Sequence, residues 1–520
     1  MDELLVLALA VPLSGAGLAL LVGERKAVNR WITLTCSLAM LGVAVTLVWL
    51  TRDGAVLATG IGGWPARFRI TFVADGFAAL MLTVSALMVT VCVLFAIARG
   101  DDERRFFHPL VLTLVAGVAG AYLTADIFDF FVFVEVALIA SYVLLTVPGS
   151  RGQIRAAGVY VTTSLMASTT LVAGIALLYA AAGTVNFAEL VGRAAASDSV
   201  AVAGVVILVA LGVKAAFVPV HGWLPRSYPA ASPAVTALFS GLLTKIGLYG
   251  VFRLYSTLFA GDATLRVPLL TIAMLTMVLG VLGAVGRDRV RDILSFHMVS
   301  QIGYMVLALG LFGLAGLSAG IFYILHHIVV KTSLLLCAGA VETFEGTGVL
   351  GRLGALARER PVLAAAFGIS ALSLSGVPPF SGFVAKLALL RAAFDLDQYA
   401  AGGVAVAVSF VTLFSMVKIW NGVFWGRRAL WEQPQLEAWS GARRTGDASE
   451  GTNRYLFSTL GSAARADVRT IARGWIVLAA SGFALLVGLL LLYVPRARHP
   501  AALLAGSLGL LCFLLLYPEP

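Results

Sequence analysis

Six lysines occur in the 520 residues, and five of them (Lys214, Lys245, Lys331, Lys386 and Lys418) fall inside long apolar runs. The sixth, Lys26, lies in a polar segment, and every Arg lies at or near an aqueous edge. That separation has chemical meaning. A guanidinium stays charged in a protein, whereas an amine taken out of water gives up its proton readily. A charge at the centre of a bilayer costs ~2.5–3.5 kcal/mol on insertion scales, and such groups mark ion and proton paths. Lys418, close to the end of its run, is equally well explained by snorkelling to an interface. The other four point to titratable sites held in hydrocarbon.

Helical spacing supplies their neighbours. Glu135 is the one acid deep inside an apolar run, and on a helix it shares a face with Tyr142. Left alone there, it would take up a proton or seek a cation. Asp126 and Asp129 lie nearer the end of the same run, where solvation suffices, although Asp129 remains a candidate. His297, Ser300, Gln301 and Tyr304 follow the i, i+3, i+4, i+7 pattern of one helical face, and Tyr323, His327 and Lys331 recur every four residues. His326 is turned about 100° from His327, and Ser240 and Thr244 precede Lys245. Imidazole titrates near neutral pH, so amines, imidazoles and hydroxyls on facing helices would pass protons between fixed sites. A metal site at His326 and His327 is the rival reading. Adjacent helical side chains diverge, however, and no acid or Cys joins them, so neither a metal nor a cofactor is expected.

The elements that must position these groups follow from composition. The chain is 60% hydrophobic and 12% charged, with a mean hydropathy of +0.95; a soluble domain carries about 25% charged residues. Soluble enzyme, disordered chain and disulfide-stapled module are excluded together. The four cysteines stand singly within apolar runs, and the net charge of +10 reflects loop bias rather than nucleic-acid binding. A bilayer core needs roughly 20 apolar residues per helix, and fourteen candidate spans are present: 3–22, 31–51, 73–98, 107–124, 126–147, 157–182, 200–219, 232–259, 267–286, 290–313, 316–341, 361–394, 400–424 and 474–494. A run at 500–517 is a further candidate, and 427–473 reads as a hydrophilic surface loop with an amphipathic helix. The first run has no basic flank and reads as an uncleaved helix. An all-α polytopic membrane protein is the expected class.

Basic residues number 23 in the loops after odd-numbered spans and 9 on the other side, which puts the N-terminus outside the cytoplasm. Two spans are interrupted. One runs from Lys214 through Pro219 to Pro225, the other through Pro378 and Pro379 before Lys386. Proline removes a backbone donor, and within a membrane such breaks survive where protein or water satisfies the freed groups. Each is the fourth span of a group of five. Two five-helix groups in succession have opposite orientations, and broken helices at matching positions of inverted repeats indicate a transport fold. The expected division is residues 1–106 as N-terminal helices, 107–259 and 267–424 as the repeats, 425–473 as the loop and 474–520 as the C-terminal helix or helices.

The segment from Lys214-Ala-Ala-Phe-Val-Pro through His221-Gly-Trp-Leu-Pro225 and on to Leu243-Thr-Lys245-Ile-Gly resembles the signature of the proton-translocating antiporter-like subunits. These occur in respiratory complex I, membrane-bound hydrogenases and Mrp multisubunit cation/proton antiporters. Phe130-Phe-Val-Phe-Val-Glu135, Asp75-Gly76, Leu294–Tyr304, His326–Lys331 and Ser375–Lys386 match in the same order, so the resemblance covers residues 70–425. Trp223-Leu-Pro-Arg-Ser-Tyr228 and Ser295-Phe-His-Met-Val-Ser-Gln look most like the D-type subunits of Mrp antiporters, where complex I relatives typically have an acid in place of Arg226.

The resemblance implies a bacterial cell-membrane protein with a Glu135–Lys214 pair, then Lys245, histidines near the centre, and Lys386 toward one side. It also implies a hetero-oligomer with other membrane subunits that exchanges protons for a monovalent cation such as Na⁺. A proton-pumping subunit of a redox complex and a non-conducting structural subunit are the competing classes, and partners rather than internal chemistry separate the first two.

Overall fold

The computed structural model describes residues 2–61, 70–147, 149–260 and 263–426. The expected loop at 425–473, from residue 427 onward, and the spans at 474–494 and 500–517 lie outside the described residues. Helices dominate: α1 (Asp2–Val22), α2 (Lys26–Thr51), α3 (Gly76–Arg99), α4 (Phe107–Leu123), α5 (Ile127–Thr146), α6 (Arg151–Ala182), short α7 (Arg193–Ala196), α8 (Asp198–Lys214), short α9 (Trp223–Ser227) and α10 (Pro233–Leu254). There follow α11 (Arg266–Val285), α12 (Val290–Gly310), α13 (Leu314–Glu345), short α14 (Leu356–Glu359), α15 (Pro361–Ser375), α16 (Ser381–Asp395) and α17 (Tyr399–Trp420). Among the described residues ten helices are long and apolar enough to cross a membrane, with two shorter apolar helices beside them. The chain is a polytopic membrane protein.

Three of the expected spans are short or divided helices, and two of these are the interrupted spans expected at 200–219 and 361–394. Residues 107–124 form a helix of 17 residues, 200–219 stops being helical at Lys214, and 361–394 is two helices of 15 residues each. Proline accounts for the last two, since both gaps hold X-Pro bonds, Val218–Pro219 and Pro378–Pro379, each cis. The third span also begins later than expected. Ile70–Ala74 is a β-strand, paired antiparallel with Leu57–Ile61, because its residues are mostly β-branched or aromatic and favour a pleated backbone.

Polar residues start and stop the helices. Asp75 caps α3 by accepting from the Ala78 amide at 2.9 Å, and Asp126 caps α5 through the amides of Phe128 and Asp129. Ser150 and Gln153 form a capping box on α6. Asp126 therefore acts at the start of α5 as a cap, with Asp129 in the first turn beside it.

Burial sorts the helices into two kinds. The apolar windows of α10, α12 and α13 are 100%, 94% and 89% buried, against 33% and 28% for α1 and α2. These three interior helices carry Lys245, His297, His326, His327 and Lys331. Charged groups also tie the helix ends together. Arg30 grips the fully buried carboxylate of Asp102 at 2.5 and 3.0 Å, with His108 at 3.4 Å on its other side. Burial opposes the charge of Asp102, but the His108 ring and the Arg30 guanidinium outweigh it and hold the carboxyl below its ordinary range. Arg291 pairs with Glu342 at 2.8 Å and donates to the Ala231 carbonyl at 2.6 Å, fastening the loop after α9 to α12 and α13.

Candidate functional site

Three helices converge on one ion pair. Lys214, the last residue of α8, places its Nζ 3.2 Å from Oε1 of Glu135 on α5. Its side chain is 6% exposed and that of Glu135 is 20%. A cation at a helix C-terminus also faces the negative end of the helix dipole. Between the two stands Ser168 of α6: its hydroxyl accepts from Lys214 at 2.7 Å and donates to the same carboxylate oxygen. A cavity of about 20 Å³, room for one water, lies beside Lys214 and is walled by Tyr160, Ser164, Trp223 and Gly247.

The break after Lys214 is shaped by its surroundings. Phe217 donates back to Gly212 at 2.9 Å, Ala216 takes a positive φ of 61°, and the Trp223 indole donates to the Val213 carbonyl at 2.9 Å. Pro219 stands in the gap, while Pro225 is the third residue of α9, where its missing N–H is harmless. α10 crosses at Gly247, where a Cβ would come within 2.9 Å of the Ala215 nitrogen. Two residues earlier, Lys245 is fully buried and donates to the Ser240 carbonyl at 2.7 Å and to the Thr244 hydroxyl at 3.1 Å.

Beyond Lys245 lies a group of polar atoms with no protein hydrogen-bond partner. Both nitrogens of His327, Nζ of Lys331 and the hydroxyls of Ser240 and Thr332 are buried and unpaired. Buried polar groups normally find partners, and a run of exceptions at the contact of α10 with α13 is the arrangement a hydrated path would use. Lys245 lies within electrostatic reach of both Lys331 and His327. On α12, His297 bonds Ser415 of α17 through Nε2 at 2.8 Å.

The second break holds the far end of this row. Lys386 donates to the carbonyl of Ser375, the last residue of α15, at 3.1 Å. Nδ1 of His326 bonds Ser381 at the start of α16 at 2.9 Å. Pro378 and Pro379 lie in the gap between them. His326 thus meets α16, whereas both ring nitrogens of the adjacent His327 are without a partner.

Two expectations separate from the row. Lys418 turns to the end of α11, donating to the carbonyls of Val285 at 3.0 Å and Arg287 at 2.6 Å and pairing with exposed Asp288. Asp129 stays in the first turn of α5, apart from the Glu135 pair. The single face expected for α12 is also divided. Ser300 donates to the Met277 carbonyl of α11, Gln301 accepts from Tyr323 of α13, and His297 and Tyr304 face α17. A helix surrounded on all sides has no one polar face. Ser168 is absent from the residues that sequence reasoning singles out, although Tyr160, Ser164 and Ser168 recur every four residues on α6 and carry the signal.

This row of buried amines and imidazoles coincides with the comparison to known proteins. The family model for NADH:quinone oxidoreductase/Mrp antiporter, transmembrane, matches residues 124–415. The chain belongs to this family. The D-type subunit of a Na⁺/H⁺ antiporter from Alkalihalophilus pseudofirmus is 40% identical over 82% of this chain and 88% of its own length. A chain in the Mrp complex structure from Dietzia sp. shares 42% identity at a TM-score of 0.85, covering 99% of this chain and all of that one. A chain of respiratory complex I from Thermus thermophilus, at 22% identity, shares the fold with a TM-score of 0.76 over 97% of this chain and 99% of its own. The antiporter-family match begins at Thr124, just after α4, and ends at Ser415, so it spans both breaks and every buried amine of the row.

Proposed function

We propose that this chain is the proton-carrying, D-type subunit of a multisubunit Na⁺/H⁺ antiporter in a bacterial cell membrane. The observation that carries the reading is the Glu135–Ser168–Lys214 cluster, buried at a broken helix and followed by Lys245, His327, Lys331, His297 and Lys386. A carboxylate beside Lys214 stabilises its charge. A cation or proton arriving at Glu135 loosens the pair, and the proton held on Lys214 is freed toward Lys245. Each later site receives it and passes it on, with Lys386 at the second break as the last.

A monovalent metal ion needs hard oxygen ligands, and Glu135 is the one carboxylate deep within the row. The cation therefore crosses with the help of another membrane subunit or at an interface with one. Residues 107–259 and 267–424 act as inverted repeats, each broken in its fourth span, and the N-terminus faces away from the cytoplasm.

The test has two arms. The complex is purified and its companion chains identified, and Na⁺-dependent dissipation of a pH gradient is followed in inverted vesicles. Small antiporter subunits are expected; iron–sulfur or flavin partners would assign the chain to a redox-driven pump instead. Glu135→Ala or Lys214→Ala should abolish exchange in an assembled complex, and normal exchange by the assembled double variant overturns the mechanism.

A further inference from the structure

Lys214 and Lys386 are held by opposite means. Lys214 has a carboxylate and a hydroxyl within 3.2 Å. Lys386 is just as buried, yet among the described residues it has no ion-pair partner. Its ammonium donates to the Ser375 carbonyl at 3.1 Å and stands 4.8 Å from the centroid of the Tyr304 ring. Gly376, at φ +84°, closes over the lysine stem, since a Cβ there would come within 2.7 Å of Lys386 Cδ. The amine is pinned against the ring rather than free to find another partner.

The ring is fixed equally firmly. The Tyr304 hydroxyl donates to the Ala405 carbonyl at 2.6 Å and bonds Ser409 at 2.9 Å, both on α17. The ring itself stacks on Tyr323 with centroids 5.3 Å apart and planes 10° apart. Tyr323 in turn donates to the Gln301 side-chain oxygen. Two hydrogen bonds and a stacked neighbour hold one aromatic face against one ammonium.

We propose that Tyr304 is the positioning residue for Lys386, its ring supplying the counter-group that a carboxylate supplies at Lys214. The electron-rich face of an aromatic ring attracts an ammonium and has little to offer a neutral amine. It therefore favours the protonated form without adding net charge. A carboxylate would do so more strongly and would retain the proton; a ring holds it and lets it leave. This deepens the relay described above and rests on the reading of Lys386 as a proton site.

The experiment uses the assembled complex in inverted vesicles, with Na⁺/H⁺ exchange measured across pH. Position 304 carries Phe, then phenylalanines with one, two and three fluorines, which drain electron density from the ring face and leave its shape nearly unchanged. If exchange requires protonated Lys386, weaker attraction lets the proton leave at lower pH. The alkaline limb of the profile should then move stepwise to lower pH, by roughly half a unit to one and a half units in all. A packing role alone would leave the profiles superimposed, and that result overturns the proposal. Should Tyr304→Phe fail to assemble, fluorinated tyrosines that keep the hydroxyl run the same comparison. Lys386→Met separates the two levels. An inactive Lys386→Met with a flat fluorine series removes only the role of Tyr304, whereas a fully active Lys386→Met removes the relay reading and the proposal with it.

Discussion

The ammonium of Lys214 lies closer to the hydroxyl of Ser168, at 2.7 Å, than to the carboxylate of Glu135, at 3.2 Å. A serine hydroxyl has one proton to give and lone pairs to accept with, so a bridge that accepts from the amine and donates to the acid has a fixed polarity. α6 thereby holds together a pair formed by α5 and α8. A hydrogen bond to a charged group contributes about 1.5–3 kcal/mol, so Ser168→Ala should slow exchange ~10-fold or more, short of the complete loss expected for Glu135→Ala. Ser168→Thr, which keeps the hydroxyl, should retain most of the rate in vesicle assays.

Lys418, which is part-exposed, should behave differently from the four buried lysines. Its three contacts are with carbonyls and an exposed acid at the end of α11, a capping role favoured by the helix dipole. Lys418→Met is expected to lower stability by about 1 kcal/mol, read as a lower unfolding temperature of the purified complex. The exchange rate per assembled complex should stay near wild type.

Gly382 tests the second break. A Cβ there would fall 1.7 Å from the Ser373 carbonyl oxygen and 3.0 Å from Nε2 of His326. No side-chain adjustment relieves a clash with backbone, so α16 would have to leave α15. Gly382→Ala should abolish exchange and reduce the yield of assembled complex severalfold by native gel. Gly17→Ala, where nothing lies within 4 Å, is the matched control and should be silent.

The Asp102 carboxylate makes stability depend on pH. Its folded value is held below the ordinary one, so its contribution is fully present above the unfolded value, about 3.9. That contribution is lost as pH falls from there through the folded value. Asp102→Asn should cost about 1–3 kcal/mol near neutral pH, because Arg30 is part-exposed and regains some hydration. The gap between wild type and Asp102→Asn in thermal unfolding should be constant down to about pH 4 and narrow below it.

Much of this was legible in the residues themselves. Lysines segregated from arginines marked Lys214, Lys245, Lys331 and Lys386, and the structure buries all four. Prolines 219, 378 and 379 marked both breaks. Lys418 could not be assigned from sequence, because a side chain of its length near a helix end reaches either way, and only the position of the α11 carbonyls decides. The faces of α12 were illegible for a related reason. Periodicity describes a helix with one wet side, and α12 has helices on all of them. Ser168 was legible in principle, but serines abound in apolar helices, and its meaning comes from two residues 33 and 46 positions away.

Lys214 is the residue on which α8 ends, and Lys386 leans on the residue with which α15 ends. Both terminal amines therefore share their fate with a severed helix. When either changes charge, the dipole that ends beside it gains or loses its counterweight. An uninterrupted helix would spread that disturbance over its own hydrogen bonds, but a cut one concentrates it on the few bonds that close its last turn. Charge at these two points therefore bears on the backbone of each break as well as on the proton it holds.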